Sequence, residues 1–438
     1  MKGLAYRDRM VAVLLVVLAF NYVDRHALGL LLQDIKVSLS LSDTQLGFLT
    51  GIAFALFYSL LGIPIARWAD RGNRVVIITL TTALWSAAVA SCGLATSFAQ
   101  LLLIRVGVAV GEAGCVPPAH SLIADHFTRA ERPRAVARYM LGIPLSLLLG
   151  FFAAGWLNEL YGWRMTFFLL GLPGVVLALL VRFVLKEPRT QRTKQLESGS
   201  QNSGGVSASG AHETGQQPSL REVSAVLWRN RAFRHLLLGY SVSSFLGSGI
   251  LQWKAAFFVR SYGMQTGELG TWFAVIYGLF GTIGSYYGGE WASRFAANNE
   301  RLQLKVMGAT FASFAIVSVC IYLSPTKYTA FALLSLATLG IYSINGPLFA
   351  TIQGLVPGRM RAMSVAVLFL FSNLIGMGLG PLAAGVLSDL FRPWAGEESL
   401  RYALLILSPG YIWAGWHMWL ASRTITQDLA DVQRAPAL

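Results

Sequence analysis

Charged side chains are scarce in this sequence. Asp, Glu, Lys and Arg make up 13% of its 438 residues, about half of the roughly 25% typical of soluble domains. A surface so poor in charge cannot be dressed for water. With 55% of the residues hydrophobic, most of that surface must face lipid. Cysteine is nearly absent: Cys92, Cys115 and Cys320 all fall in apolar stretches, and none has a CxxC neighbour. Their odd number and spacing imply neither a disulfide framework nor a metal site. A Walker loop, an HExxH and a GxSxG are missing too. Nucleotide-driven pumping and hydrolytic chemistry therefore have no residues to carry them, and no cofactor is implied.

What is present is a series of apolar runs of bilayer length, which takes roughly 20 residues per helix. Spans are predicted near residues 10–33, 44–66, 75–95, 98–119, 135–156, 165–185, 233–258, 269–290, 304–323, 329–352, 362–387 and 401–421. The expected fold is all-α and polytopic, with twelve transmembrane helices. The first run follows Lys2, Arg7 and Arg9. It lacks a small-residue cleavage site, and Asp24 and Arg25 interrupt it, so it reads as a retained helix rather than a signal peptide. The formal charge of +14 falls on one face once the N-terminus is placed in the cytoplasm, as the positive-inside rule requires. Both termini are then cytoplasmic, and the charge calls for no nucleic acid.

One segment breaks the apolar pattern. Residues 189–221 include Glu197-Ser-Gly-Ser-Gln-Asn-Ser-Gly-Gly and almost no large apolar side chains, a composition that reads as a flexible cytoplasmic linker. The chain therefore divides into a six-helix bundle over 1–188, a linker over 189–231 and a second six-helix bundle over 232–438. The halves resemble each other where Gly150-Phe-Phe-Ala-Ala-Gly155 aligns with Gly380-Pro-Leu-Ala-Ala-Gly385. That fits a parallel repeat about the membrane normal with a cavity between the halves.

Five charges interrupt the apolar runs: Asp24 and Arg25 in the first, Arg105 and Glu112 in the fourth, and Lys254 in the seventh. Each is costly in hydrocarbon, roughly 2.5–3.5 kcal/mol on the translocon scale, so each must face a cavity or a partner. At about 1.5 Å of rise per residue, Asp24 and Arg105 lie about 15 Å and about 10 Å below the outer surface, close enough in depth to pair. Glu112 follows Arg105 by almost two turns and shares its helix face. Arg25 points about 100° away from Asp24, which predicts that it snorkels or braces a neighbouring helix. Lys254 can either bind substrate or snorkel outward.

Ala66-Arg67-Trp68-Ala69-Asp70-Arg71-Gly72-Asn73-Arg74 joins the second and third spans. It reads either as a plain turn or as a charge latch in which Asp70 meets a cation or a helix N-terminus in one conformation. Bending points are expected at Gly142-Ile-Pro144, Gly346-Pro347 and Gly376-Met-Gly-Leu-Gly380-Pro381. Histidine offers no obvious proton relay, since His26 and His120 fall near span ends and His126, His212 and His235 on the cytoplasmic side.

The six-plus-six plan, the Asp70-Arg71 and Arg74 turn, and Arg105 with Gly111 resemble the major facilitator superfamily. Asn21-Tyr-Val-Asp24-Arg25, Asp70-Arg-x-Asn-Arg74 and Arg105 through Glu112-Ala-Gly resemble its Spinster branch more narrowly. The loop departs from the general pattern at Ala66 and Asn73, and the fourth span departs at Ala109. The resemblance implies a bacterial inner-membrane carrier, acting as a monomer by alternating access on a lysolipid- or sphingolipid-like substrate with proton coupling. On that reading Asp24 and Glu112 take up protons, Arg105 and Lys254 contact substrate, and Asp70, Arg71 and Arg74 form the latch. An exporter of drugs or other organic anions fits the same residues. A lipid-modifying enzyme would need a nucleophile or metal cluster that is not visible, and a non-transporting receptor would bind without flux.

Overall fold

The computed structural model describes residues 2–128, 130–188, 220–296, 299–357 and 360–434. It is helical throughout the N-terminal half: α1 (Lys2–Leu39), α2 (Asp43–Thr50), α3 (Ile52–Arg71), α4 (Arg74–Cys92), α5 (Phe98–Ala113), α6 (Val116–His126), α7 (Arg132–Met140) and α8 (Gly142–Val184). The C-terminal half follows with α9 (Leu220–Arg229), α10 (Arg231–Ser244), α11 (Ile250–Tyr262), α12 (Thr266–Phe273), α13 (Gly281–Phe295) and α14 (Glu300–Tyr322). It ends with α15 (Lys327–Gly354), α16 (Arg361–Ser372), α17 (Gly380–Ala395), α18 (Ser399–Leu407) and α19 (Gly410–Arg434).

Among the described residues, eight continuous segments are long and apolar enough to cross a membrane. Two of them, Arg134–Val184 and Met363–Val432, are too long for one crossing at 1.5 Å per residue. The first folds back at Gly162, whose φ of 76° suits glycine. Beside that turn Arg164 donates to Ser38 at the end of α1, while the amide of Lys186 has returned to Tyr6 at its start. The second folds back at Gly396 (φ 57°), where Trp394 packs on Tyr402 at 4.9 Å. With α10–α11 and α12–α13, whose windows are less apolar, the described residues make twelve crossings. Short turns are closed by side-chain caps, including a Ser42–Gln45 capping box and Asn73 accepting from the amide of Val76.

Large apolar side chains point outward along the bundle, among them Phe183 at 80%, Leu103 at 72% and Ile316 at 69% exposure. In water such a belt would drive aggregation, whereas in a bilayer it is the lipid-facing surface.

The predicted linker lies outside the described residues over 189–219; its last part includes Leu220–Arg229, which forms α9. Of the three predicted bending points, Gly142 opens α8 after a break, and Gly376 lies in a π-helical segment, Asn373–Leu379. Pro347 stays within the continuous helix α15. Two further π segments, Phe245–Gly249 and Ala274–Phe280, carry no proline and were not predicted.

The halves meet through glycines at the end opposite the termini. A Cβ on Gly47 would collide with the carbonyl of Pro381, one on Gly155 with that of Thr266, one on Gly270 with that of Phe151, and one on Gly385 with that of Asp43. Backbone therefore touches backbone along this seam, as small residues permit between membrane helices.

Candidate functional site

Two buried ion pairs connect α1 to α5. Nη1 of Arg105 donates to Oδ2 of Asp24 at 2.9 Å, and Nε of Arg25 donates to Oε2 of Glu112 at 2.5 Å. Relative exposure is 2% for Asp24 and Arg105, 8% for Arg25 and 0% for Glu112. The first pair is the one that the estimated depths predict.

The second corrects the snorkelling alternative for Arg25 and bears out bracing. A helical side chain leans toward the N-terminus of its own helix. The long Arg25 side chain therefore travels back along α1 to the level of Glu112, although its Cα sits one residue outward of Asp24.

An aromatic shelf supports both guanidiniums. Arg25 lies 4.7 Å from the centroid of Tyr22 and 4.8 Å from those of Phe54 and Tyr58; Arg105 lies 5.2 Å from that of Phe54. Such contacts suit weakly hydrated guanidinium groups. Each carboxylate keeps one buried oxygen without a partner, Oδ1 of Asp24 and Oε1 of Glu112, and the amide of Asn21, one turn away, is likewise unpaired.

Lys254 does not snorkel outward. Its Nζ lies 5.6 Å from the ring centroid of Tyr277, and the side chain lines a cavity of about 180 Å³ in the C-terminal half.

The side chain of Asp70 lies outside the described residues, and Arg71 is exposed on the last turn of α3. Arg74 is buried. Its guanidinium binds Glu187, Asp125 at 2.7 Å and Ser121 at 2.9 Å, and its amide donates to Glu187 at 2.8 Å. These bonds all stay within the N-terminal half.

A second charge cluster, not singled out from sequence, ties the halves together at the end opposite the termini. Asp43, 0% exposed, accepts from Nη1 and Nη2 of Arg260 at 2.7 Å each, from Nζ of Lys36 at 2.6 Å and from the hydroxyl of Ser388 at 2.6 Å. Asp389 in turn accepts from the amides of Asp43 (3.1 Å) and Thr44 (2.7 Å), a carboxylate from one half capping a helix N-terminus of the other. Trp156–Thr271 and Gly267–Glu159 hydrogen bonds lie beside them. The molecule is thus closed at this end. Lys36, Asp43 and Arg260 sit at helix termini, where charge is ordinary, so only the partner's position could have marked them.

Among the described residues no group of three or more His, Cys, Asp or Glu side chains could hold a metal ion.

A family profile described as Major Facilitator Superfamily matches residues 14–381. An "MFS-type efflux pump" of Mycolicibacterium smegmatis is 31% identical over 97% of this chain and 94% of its own. Protein spinster homolog 1 of Xenopus tropicalis is 25% identical over 92% of this chain and 78% of its own. Among solved structures, a bacterial homolog of the human lysosomal transporter Spinster, inward-facing and unoccupied, is 29% identical. It superposes with a TM-score of 0.86, covering 97% of this chain and 98% of that one. These are transport proteins rather than enzymes. With the six-plus-six plan, the paired intramembrane charges and matches along nearly the whole length, the chain belongs to the major facilitator superfamily of secondary transporters, in its Spinster branch.

Proposed function

We propose that the protein carries an amphipathic, lysolipid- or sphingolipid-like molecule across a bacterial inner membrane by proton-coupled alternating access, as a monomer with both termini in the cytoplasm. The observation that carries this reading is the pair of buried arginine–carboxylate bridges between α1 and α5. Ionisable residues at this depth default to a transport pathway.

Asp24 and Glu112 are the proton acceptors. Protonation of Asp24 removes the anion from Arg105 and frees that guanidinium for a phosphate or carboxylate, which it can bind bidentately. Proton and substrate are thereby linked through one arginine. Lys254 contacts substrate from the opposite half, and the tail lies along apolar walls. Asp70, Arg71 and Arg74 act as the latch at the cytoplasmic end, with Arg74 as its fixed part.

A second reading, an exporter of drugs or other organic anions, draws support from the efflux-pump relative. Purified protein in liposomes with an imposed pH gradient separates the two. The proposal expects lysolipid to cross intact and faster with the gradient, and expects Glu112→Gln to abolish the acceleration. Gradient-driven flux of a drug panel without lysolipid flux would favour the exporter.

A further inference from the structure

Among the described residues, charge matching inside the membrane leaves one cation over. Arg25 and Arg105 each hold a carboxylate at ion-pair distance, whereas Lys254 has none at that distance among the described residues. An ammonium held inside the membrane without an anion is costly, so a mobile anion that reaches it is favoured.

Its surroundings say what. Ser243, Ser248, Tyr277, Thr338, Tyr342 and Asn345 share the cavity wall with Lys254, and no Asp or Glu lines it. The hydroxyl of Tyr277 is buried without a partner. Ser248 and Tyr277 are carried into the wall by the two unpredicted π segments, Phe245–Gly249 and Ala274–Phe280, and such segments recur at functional sites. An ammonium among hydroxyl and amide donors, with carboxylates excluded, is chemistry for an anion.

The chamber also abuts the other half. The Tyr277 ring packs on Phe151 at 5.6 Å, and Phe151 packs on His26 at 5.2 Å, next in sequence to Arg25.

We infer that Lys254 and the donors around it form the standing site for the anionic group of the transported molecule, a phosphate monoester or a carboxylate. This site lies in the C-terminal half and is separate from the arginine–carboxylate pairs. Arg105 is occupied by Asp24 until a proton arrives, whereas Lys254 needs no such release. The inference rests on the lipid-transport reading above and deepens it by naming the charge of the substrate and the residue that receives it.

The test compares a radiolabelled lysophosphatidate with a monoacylglycerol of the same acyl chain, each binding to the full-length protein in nanodiscs. Wild type should prefer the phosphate lipid by about tenfold or more, the scale of a charge-assisted hydrogen bond. Lys254→Gln should bind both lipids alike, and Lys254→Arg should keep the preference. Because Lys254→Gln leaves no carboxylate orphaned, it should elute as monodisperse as wild type. Two results overturn the inference while leaving lipid transport standing: equal binding of both lipids by wild type, or a preference that survives in Lys254→Gln. Binding of neither lipid would overturn both.

Discussion

Arg260 grips Asp43 with a two-pronged bridge, each terminal nitrogen 2.7 Å from a different carboxylate oxygen, across the boundary between the two halves. Asp43 is fully buried, so removing one partner strands a charge, a change typically worth about 3–5 kcal/mol. Asp43→Asn should therefore open this end of the molecule. Spin labels at Val37 and Leu323, both exposed at that end, should gain a longer-distance population. Arg260→Lys, which keeps the charge but loses the fork, should give a smaller gain. An unaltered distance distribution in Asp43→Asn would show that the bridge does not hold the end shut.

The Asp24–Arg105 pair should make the transporter sensitive to protons. Asp24→Asn mimics the protonated carboxyl and should fix the label distances in their acidic-pH distribution at neutral pH as well. Arg105→Lys should abolish flux even though the charge remains, because the planar fork is lost. A full wild-type pH response in Asp24→Asn would leave Glu112 alone to carry the coupling.

The Arg25–Glu112 pair should reveal itself as a unit. Arg25→Gln alone should lower stability by roughly 3–5 kcal/mol, because Glu112 is then buried without its cation. Adding Glu112→Gln should recover much of that loss. Denaturant melts in detergent of the two single variants and the double variant give the coupling. Additive losses would mean that the contact contributes nothing specific.

The glycine seam makes a prediction that involves no charge. Gly47→Ala places a methyl against the carbonyl of Pro381, so the end opposite the termini cannot close fully although each bundle still folds. The Val37–Leu323 distances should lengthen and flux should fall. Gly62→Ala serves as the matched control, since a Cβ there meets nothing within 4 Å. If both variants behave like wild type, the seam tolerates volume and closure does not depend on it.

Most of the fold could be read from the sequence because bilayer thickness imposes a single length scale that apolar runs report directly. The site was half legible. Asp24 and Arg105 could be paired by counting rise per residue along their helices. For Arg25 the bracing alternative held, but its partner Glu112 could not be read, because a long side chain escapes its helical-wheel direction. The Asp43–Arg260–Ser388 cluster was invisible for another reason: it depends on how two halves, distant in sequence, come to face each other. The π segments beside Lys254 arise without proline, so no local residue announced them.

The seam of Gly47, Gly155, Gly270 and Gly385 presents backbone to the opposing half. Shape matching there is consequently a property of the main chain, written in the absence of side chains. Lys254 is not among the residues that the seam glycines face, so a substitution there can retune cargo and leave the closing surface untouched, whereas Tyr277, whose ring packs on Phe151, touches both. Such a division lets a lineage change what it carries while inheriting how it closes, and it marks the cavity wall, not the seam, as the place to redesign specificity.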